Sequence, residues 1–172
     1  YHPSNSYIYL YGDMDMEEKL AFLDEHYLSH FDYLDVDSVI QEQKEFGACR
    51  DVTLEYPVAE NEGEEDNTYL SYNMVVGNAA DSQMAMAFEV LDYALLSAPG
   101  APLKQALLDV KAGKDVYGSY DDGILQPYFT VIAKGSNPDR KEEFVSVIRQ
   151  VLGDIVKNGI DRKAVEAGIN YF

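Results

Sequence analysis

The sequence predicts an α+β domain whose sheet is mostly antiparallel and whose helices pack on one face. Strand-like runs follow one another in adjacent pairs, and short connections of this kind join antiparallel neighbours. Stretches with helical periodicity fill the intervals, which gives the predicted order β-α-β-β-α-α-β-β-α-α. A length of 172 residues is enough to bury a hydrophobic core, so we expect a single domain over residues 1–172.

The first third of the chain is predicted to form a strand, a helix and a second strand. Ser6–Tyr11 is apolar and aromatic like a strand, and Asp13 or Asp15 is placed to cap the helix after it. The apolar stripe of that helix comprises Met16, Leu20, Leu23, Tyr27, Phe31 and Leu34. Val36–Phe46 fits either a short helix or an irregular connection. Val52–Val58 alternates like a strand, and its proline favours an edge position.

The stretch Ser97–Gly135 predicts a helix followed by a hairpin. Pro102 suits the first turn of the helix, because it lacks the N–H that has no partner there. Gly113 is expected to supply the left-handed residue that ends the helix. Val116–Tyr120 and Tyr128–Ala133 are rich in β-branched and aromatic residues, and an Asp-Asp-Gly sequence between them predicts a turn.

The remaining elements follow from capping signals. Tyr69–Val76 predicts a strand, and Asp81 is placed to cap the helix after it. Asn137 is the predicted N-cap of a long amphipathic helix that stops at Gly159, and Asp161 opens a final helix.

The charge of the chain excludes some classes of partner. Thirteen Lys and Arg against 31 Asp and Glu give a net charge of −18. We therefore expect no nucleic-acid partner and no anionic membrane surface, because both need a basic surface. No apolar run approaches the ~20 residues that span a bilayer. The single cysteine, Cys49, cannot form an internal disulfide, and it favours a reducing, cytoplasmic location.

No pattern in the sequence predicts catalytic or metal-binding chemistry in this chain. His26 and His30 are four residues apart, but their stretch HYLSH lacks the glutamate of a zinc motif, so a pair of helix histidines is the simpler interpretation. Asp13–Glu17 lacks the glycine of a calcium loop and fits a helix start better. The acidic run Glu60–Asp66 is predicted to be a solvated loop. We therefore predict no catalytic residue, no metal ligand and no cofactor here.

Four segments together resemble a known family. YHPSNSYIYLYGD, LLSAPGAPLKQALLD, GSYDDGILQPYFTVIAKG and GIDRKAVEAGINYF are similar, in that order, to the second domain of the M16 inverted-zincin metallopeptidases. This family includes pitrilysin, insulin-degrading enzyme and presequence protease, and the presequence-protease-like branch is the most similar. The chain also begins without methionine and ends inside a helical pattern, so we expect it to be a piece of a longer peptidase.

The resemblance implies a metallohydrolase-like α+β domain that is itself inactive. In that family the zinc motif lies in the preceding domain, and this domain helps to wall a chamber in which unstructured peptides are cut. The implied partners are the catalytic domain and the C-terminal half of the same parent chain, together with peptide substrates. The parent would be a zinc metalloendopeptidase.

The resemblance also implies a substrate-binding strand. In insulin-degrading enzyme the strand after the proline-opened helix holds the N-terminal end of a peptide by β-augmentation. The matching residues here are Val116, Tyr117, Gly118, Ser119 and Tyr120. Glycine allows a close backbone approach, and an unpaired strand edge binds main chain with little sequence preference.

Two alternatives to a peptidase domain stay open. The chain could be a non-catalytic scaffold or peptide-binding module of the same fold, in a parent without peptidase activity. It could also be an independent acidic module that binds basic peptides.

Overall fold

The structure is a computed structural model that describes residues 2–59, 61 and 63–172. The chain divides into two compact units, an N-terminal unit, Tyr1–Gln41, and a main unit, Glu42–Phe172. The expectation of one domain over residues 1–172 stays a prediction.

Residues 2–41 of the N-terminal unit form one α-helix, α1 (Met16–His26), and two 3₁₀ turns, Pro3–Asn5 and Leu28–His30. The side chain of Asp15 caps α1 by accepting a hydrogen bond from the Glu18 N–H at 3.1 Å. Of the two predicted caps, Asp15 is therefore the one used. The two glutamates of the first turn complement the positive end of the helix dipole.

Two predictions for this unit are wrong. Ser6–Tyr11 is not a strand, because its backbone finds no ladder partner in the described part of the unit. The helix is also shorter than its apolar stripe. Tyr27 leaves the helical region with φ −137° and ψ −65°, so Phe31 and Leu34 lie beyond the helix end.

The described residues of the main unit form three strands and four α-helices. The strands are β1 (Thr68–Val75), β2 (Asp115–Asp121) and β3 (Tyr128–Ser136). The helices are α2 (Ser82–Asp92), α3 (Pro102–Asp109), α4 (Lys141–Asn158) and α5 (Arg162–Tyr171). A π-helical turn, Tyr93–Ser97, directly extends α2, and Ala98 closes it with an N–H bond to the Tyr93 carbonyl at 2.7 Å.

The three strands form one antiparallel sheet in the order β1-β3-β2. In its register, Tyr72 lies opposite Val131 in the β1–β3 pair, and Gly118 lies opposite the same residue in the β2–β3 pair. The predicted α+β class with an antiparallel sheet is confirmed. Because β3 is central, β1 and β2 each have one side without a strand neighbour in the described part of the chain.

The core lies between one face of the sheet and the helices of the main unit. Its buried strand residues are Leu70, Val116, Phe129, Val131 and Ala133. The helices supply the buried residues Leu95, Leu96, Leu103, Leu107, Phe144 and Ile148. Helical periodicity places the α3 and α4 residues of this set on single faces, so the spacing seen in the sequence becomes the packing surface.

A second predicted strand, Val52–Val58, is also absent. Pro57 lacks the N–H that a ladder requires, and Leu54 is 85% exposed. The segment touches the sheet through Tyr56, whose hydroxyl donates to the Asn67 carbonyl and whose ring centroid lies 5.9 Å from that of Tyr69. Residues 36–46 are irregular, which resolves the alternative left open for them.

The end of α3 differs from the prediction as well. The left-handed residue is Lys111, with φ +54°, and not Gly113. Gly113 is required for another reason, because a Cβ there would lie 2.7 Å from the Lys134 carbonyl oxygen of β3. The glycine thus allows the chain to enter the sheet close to the central strand.

The predicted helix boundaries elsewhere are mostly confirmed. Asp81 and Asp161 cap α2 and α5, and Gly159 ends α4 with φ +88°. Asn137 occupies the N-cap position of the 3₁₀ turn Pro138–Arg140 that leads into α4, but its side chain makes no capping bond. That side chain instead forms two hydrogen bonds with Asp66: its oxygen accepts from the Asp66 N–H, and its amide donates to the carboxylate. This pair ties the acidic loop before β1 to the chain after β3.

Candidate functional site

The five residues predicted to bind substrate all lie on the edge strand β2. Val116, Gly118 and Tyr120 point toward the helices, where Val116 is fully buried and the Tyr120 ring stacks on Phe88 at 5.5 Å. Tyr117 and Ser119 are exposed on the opposite, outer face of the sheet. The strand therefore offers two different surfaces, a packed inner one and an accessible outer one.

The free side of β2 is not uniformly available to a partner strand. At its start, the Val116 N–H donates to the Asp115 carboxylate at 2.8 Å. Lys104 lies 3.6 Å from the same carboxylate. A side chain that occupies an edge N–H limits pairing at that point, so the accessible edge lies farther along β2.

The glycine at the centre of β2 is explained by packing within the domain. A Cβ on Gly118 would lie 2.2 Å from Leu96 Cδ1 and 2.7 Å from the Thr130 carbonyl oxygen. Both distances are far below van der Waals contact, so only glycine fits beneath the π-helical turn. The family resemblance connects this glycine with a close approach of peptide, whereas the approaching group in the structure is the domain's own Leu96.

The far end of β2 lies in a region of negative potential. Burial raises the pKa of the Glu89 carboxyl, and the nearby charges of Asp122 and Asp92 raise it further. Burial, and then the charges of Asp122 and Glu89 among others, also raises the pKa of the Tyr120 hydroxyl. A positively charged group placed here would be stabilised by these carboxylates.

Asp92 carries an unusual buried atom beside the same strand. Its Oδ1 has no hydrogen-bond partner within the described residues, while its Oδ2 accepts from the Ser97 hydroxyl at 3.4 Å. Burial raises the pKa of this carboxyl, and the bond from Ser97 opposes that shift. Sequence reasoning did not single out Asp92, because its burial depends on the π-helical turn and on the absent side chain of Gly118.

The outer face of the sheet carries small polar and aromatic residues in cross-strand rows. Asn73, Thr130 and Ser119 form one row, in which the Thr130 hydroxyl donates to the Asn73 side-chain oxygen at 2.9 Å. Ser71, Ile132 and Tyr117 form the next. The main-unit helices pack on the other face, and Thr130 is itself buried, so the exposed side chains of β2 in these two rows are Tyr117 and Ser119.

The other sequence candidates do not assemble into a site. His26 ends α1 and His30 ends a 3₁₀ turn, so the two do not share one continuous α-helix. Among residues 2–59, 61 and 63–172, no group of three His, Cys, Asp or Glu side chains could hold a metal ion. Within the acidic run Glu60–Asp66, Glu60 and Glu62 lie outside the described residues. Asp66 instead bonds to Asn137 and lies 3.2 Å from Lys114 Nζ.

The helices of the described ranges also bear on membrane association. None of them combines the length and the hydropathy that crossing a bilayer requires.

Comparisons with known proteins give the family. The family model described as "Peptidase M16 inactive domain" matches residues 1–172. The chain is 45% identical to Protein HypA of Clostridium perfringens, over 99% of this chain and 18% of that protein. It is 31% identical to presequence protease 1, chloroplastic/mitochondrial, of Arabidopsis thaliana, over 99% of this chain and 16% of that protein. It is 27% identical to the mitochondrial presequence protease of Danio rerio, over 97% of this chain and 17% of that protein.

These matches agree with the resemblance to the presequence-protease-like branch. The chain spans about one sixth of the length of these relatives, so it corresponds to one part of a much longer polypeptide in each of them. The match to the family model extends over the whole chain. The chain belongs to the family of M16 peptidase inactive domains.

Proposed function

We propose that this chain is a non-catalytic domain of a zinc-dependent M16 metallopeptidase that degrades unstructured peptides. In this proposal it forms part of the wall of the substrate chamber, and the edge strand β2 anchors peptide. The observation that carries the proposal is that β2 lies at the edge of the sheet, with no strand neighbour on one side among the described residues, and borders a face that the main-unit helices leave free. Membership of the inactive-domain family supports a role beside a catalytic domain rather than in the chemistry.

The proposed anchor is main-chain pairing by Val116–Tyr120. Hydrogen bonding alternates along an antiparallel strand, so an edge strand presents N–H and C=O groups at every second residue. Since Asp115 occupies the first edge N–H, pairing is expected over Gly118–Tyr120. Main-chain bonds carry little sequence preference, which suits a peptidase that accepts many unstructured peptides.

Charge supports a preference for the positive end of a peptide. The pKa of Tyr120 is raised by burial and then by the carboxylates of Asp122 and Glu89, which therefore act on the same end of β2. An N-terminal ammonium or a basic side chain at this position would relieve the repulsion among these carboxylates. The net charge of −18 would also attract cationic peptides from a distance.

The remaining parts of the proposed enzyme lie outside this chain. Zinc and the catalytic residues are assigned to the preceding domain of the parent polypeptide, and the C-terminal half would close the chamber. This chain supplies no step of the hydrolysis itself. A cytoplasmic location stays a prediction that rests on Cys49, which is a free, exposed thiol.

The test compares two lysine substitutions in the full-length parent. Tyr117→Lys places a charge on the outer face of β2, and lysine on an edge strand opposes strand addition. Ser71→Lys is the matched control, because Ser71 and Tyr117 both lie opposite Ile132 in one row of the same face. Loss of one or two main-chain bonds is worth about 1.5 kcal/mol, so Tyr117→Lys should raise KM for unstructured peptides about tenfold. Ser71→Lys should leave KM within about twofold.

The outcomes separate the two parts of the proposal. A zinc-containing parent that cleaves peptides, with KM unchanged by Tyr117→Lys, would reject the β2 anchor and keep the chamber role. A full-length parent without zinc or cleavage would reject the peptidase and favour a non-catalytic scaffold of the same fold. Peptides methylated on backbone nitrogens should compete poorly if β2 binds by strand pairing, and their full potency would reject that mode.

A further inference from the structure

The start of β2 carries a carboxylate that bonds to the backbone of its own strand. The Asp115 side chain accepts a hydrogen bond from the Val116 N–H at 2.8 Å. Both residues belong to β2, which has no strand neighbour on its free side among the described residues. The bond therefore occupies a main-chain donor that an added strand would use.

The main-chain groups on the free side of β2 belong to every second residue, because hydrogen bonding alternates along an antiparallel strand. With the Val116 N–H on that side, the set is Val116, Gly118 and Tyr120. In the part of the chain that the structure describes, no side chain accepts a bond from the N–H of Gly118 or of Tyr120. Of these three positions, the first is therefore closed and the other two are open.

Two lysines from other elements favour this position of the carboxylate. Lys104 of α3 places its Nζ 3.6 Å from the same oxygen of Asp115 that accepts from Val116. Lys134 of β3 lies directly opposite Asp115 in the β2–β3 register, and opposite charges in such a cross-strand pair attract each other. The carboxylate is thus held at the start of β2 by contacts within the main unit.

A peptide carbonyl competes poorly with this carboxylate for the Val116 N–H. Asp115 is the neighbour of Val116 in the chain, so its bond needs no association step, whereas a bound peptide loses translational and conformational freedom. The carboxylate also occupies the place that the peptide carbonyl would take. A peptide residue opposite Val116 therefore cannot form the pair of hydrogen bonds that an antiparallel ladder requires there.

We propose that Asp115 is a specificity-determining residue of the peptide anchor, because it ends strand pairing beyond Gly118. An antiparallel peptide then forms two bonded pairs with β2, opposite Tyr120 and Gly118, and leaves the sheet edge at Val116. The carboxylate thereby limits the length of peptide that β2 holds, whatever the length of the whole peptide. This inference rests on the proposed function, because it requires that β2 binds peptide.

The test is a scan of backbone N-methylation with the full-length parent. A labelled unstructured peptide is methylated on one backbone nitrogen at a time, and its Kd is measured by stopped-flow fluorescence anisotropy before cleavage begins. A methyl group removes the N–H that donates to a β2 carbonyl, so each paired residue appears as a sensitive nitrogen. The scan is repeated with Asp115→Ala, which frees the Val116 N–H, and with Asp115→Asn. The asparagine is the matched control, because it removes the same charge but keeps a side-chain oxygen that accepts from this N–H.

We expect two sensitive nitrogens, two residues apart, in the unsubstituted parent and in Asp115→Asn. Asp115→Ala should show a third, two residues farther toward the C-terminus of the peptide. Methylation at a sensitive nitrogen should raise Kd about fivefold, and the additional pair should lower the Kd of the unmethylated peptide for Asp115→Ala by about the same factor.

The outcomes separate this inference from the anchor itself. Three sensitive nitrogens in the unsubstituted parent would overturn the role of Asp115 while keeping the anchor, and this result does not depend on how the variants fold. Two in Asp115→Ala would overturn it as well, and so would a third in Asp115→Asn, since the charge and not the bond would then be responsible. No sensitive nitrogen in any of the three proteins would reject strand pairing by β2, and with it both the proposed anchor and this inference.

Discussion

Substituting Gly118 by alanine tests the packing of the π-helical turn on β2. The new Cβ would lie 2.2 Å from Leu96 Cδ1, whereas carbon atoms in contact are about 3.5–4.0 Å apart. Leu96 is 1% exposed and cannot turn its side chain into solvent, and the Thr130 oxygen at 2.7 Å belongs to the central strand. Overpacking of this kind costs about 1–3 kcal/mol, and the backbone contact places Gly118→Ala at the upper end.

The measurement is the opening free energy of β2 and β3 from native-state amide exchange in the parent. A loss of about 2–3 kcal/mol increases the open population of these strands by roughly 30- to 150-fold. Gly153→Ala is the control, because Gly153 lies inside α4 and a methyl group added to it would meet no atom of another element within 4 Å. Alanine is favoured over glycine in a helix by about 0.5–1 kcal/mol, so this variant should slow exchange locally. If Gly118→Ala changes the opening free energy by less than about 0.5 kcal/mol, the packing argument is wrong.

Three further predictions concern residues with unusual conformation or ionisation. Lys111 has a left-handed backbone conformation, which destabilises a non-glycine residue by about 1–2 kcal/mol. Lys111→Gly removes this strain but increases the entropy of the unfolded chain, which destabilises the fold by about 0.5–1 kcal/mol. Urea denaturation should therefore show no loss of stability, and a clear loss would contradict this prediction. Hydrogen bonds with Asn137 and Lys114 lower the pKa of the Asp66 carboxyl in the folded state, so its stabilising effect is present above about pH 4 and is lost as the pH falls further. Asp66→Asn should remove this acid-dependent loss of stability when unfolding is followed as a function of pH. An unchanged pH profile would refute the assignment. Burial raises the pKa of the Asp92 carboxyl in the folded state, so the protein is most stable when Asp92 is protonated, and its stability falls as the pH rises through that folded-state pKa. Asp92→Asn should therefore stabilise the protein at about pH 7 but not at about pH 3. Equal effects at both pH values would contradict the reasoning.

Local patterns predicted most elements of the main unit. The strands at Tyr69–Val76 and Tyr128–Ala133 and the caps at Asp81 and Asp161 match the structure to within a few residues. Each of these signals acts over a few neighbouring residues, which is why the sequence reveals it. Alternation along Val52–Val58 is equally local, but a strand also requires a partner, and periodicity contains no information about the partner.

The candidate site was only partly predictable for the same reason. The resemblance assigned peptide binding to Val116–Tyr120, and its strand character follows from composition. Its position at the sheet edge depends on the order β1-β3-β2, which no single segment encodes. The contact between Gly118 and Leu96 could not be predicted from the sequence either, because Leu96 lies 22 residues earlier in the chain, in a different element.

The π-helical turn Tyr93–Ser97 has a consequence for comparing sequences within this family. A π turn accommodates one residue more than an α turn, so it can be viewed as a single-residue insertion in a longer helix. It brings three consecutive residues, Ala94, Leu95 and Leu96, into the core, although successive residues of an α-helix point about 100° apart. A homologue that lacks one residue here could keep α2 and α3 unchanged by reverting to an α turn. Gaps in alignments should therefore be allowed within this turn, and a length difference there would mark a change in how the helix covers β2.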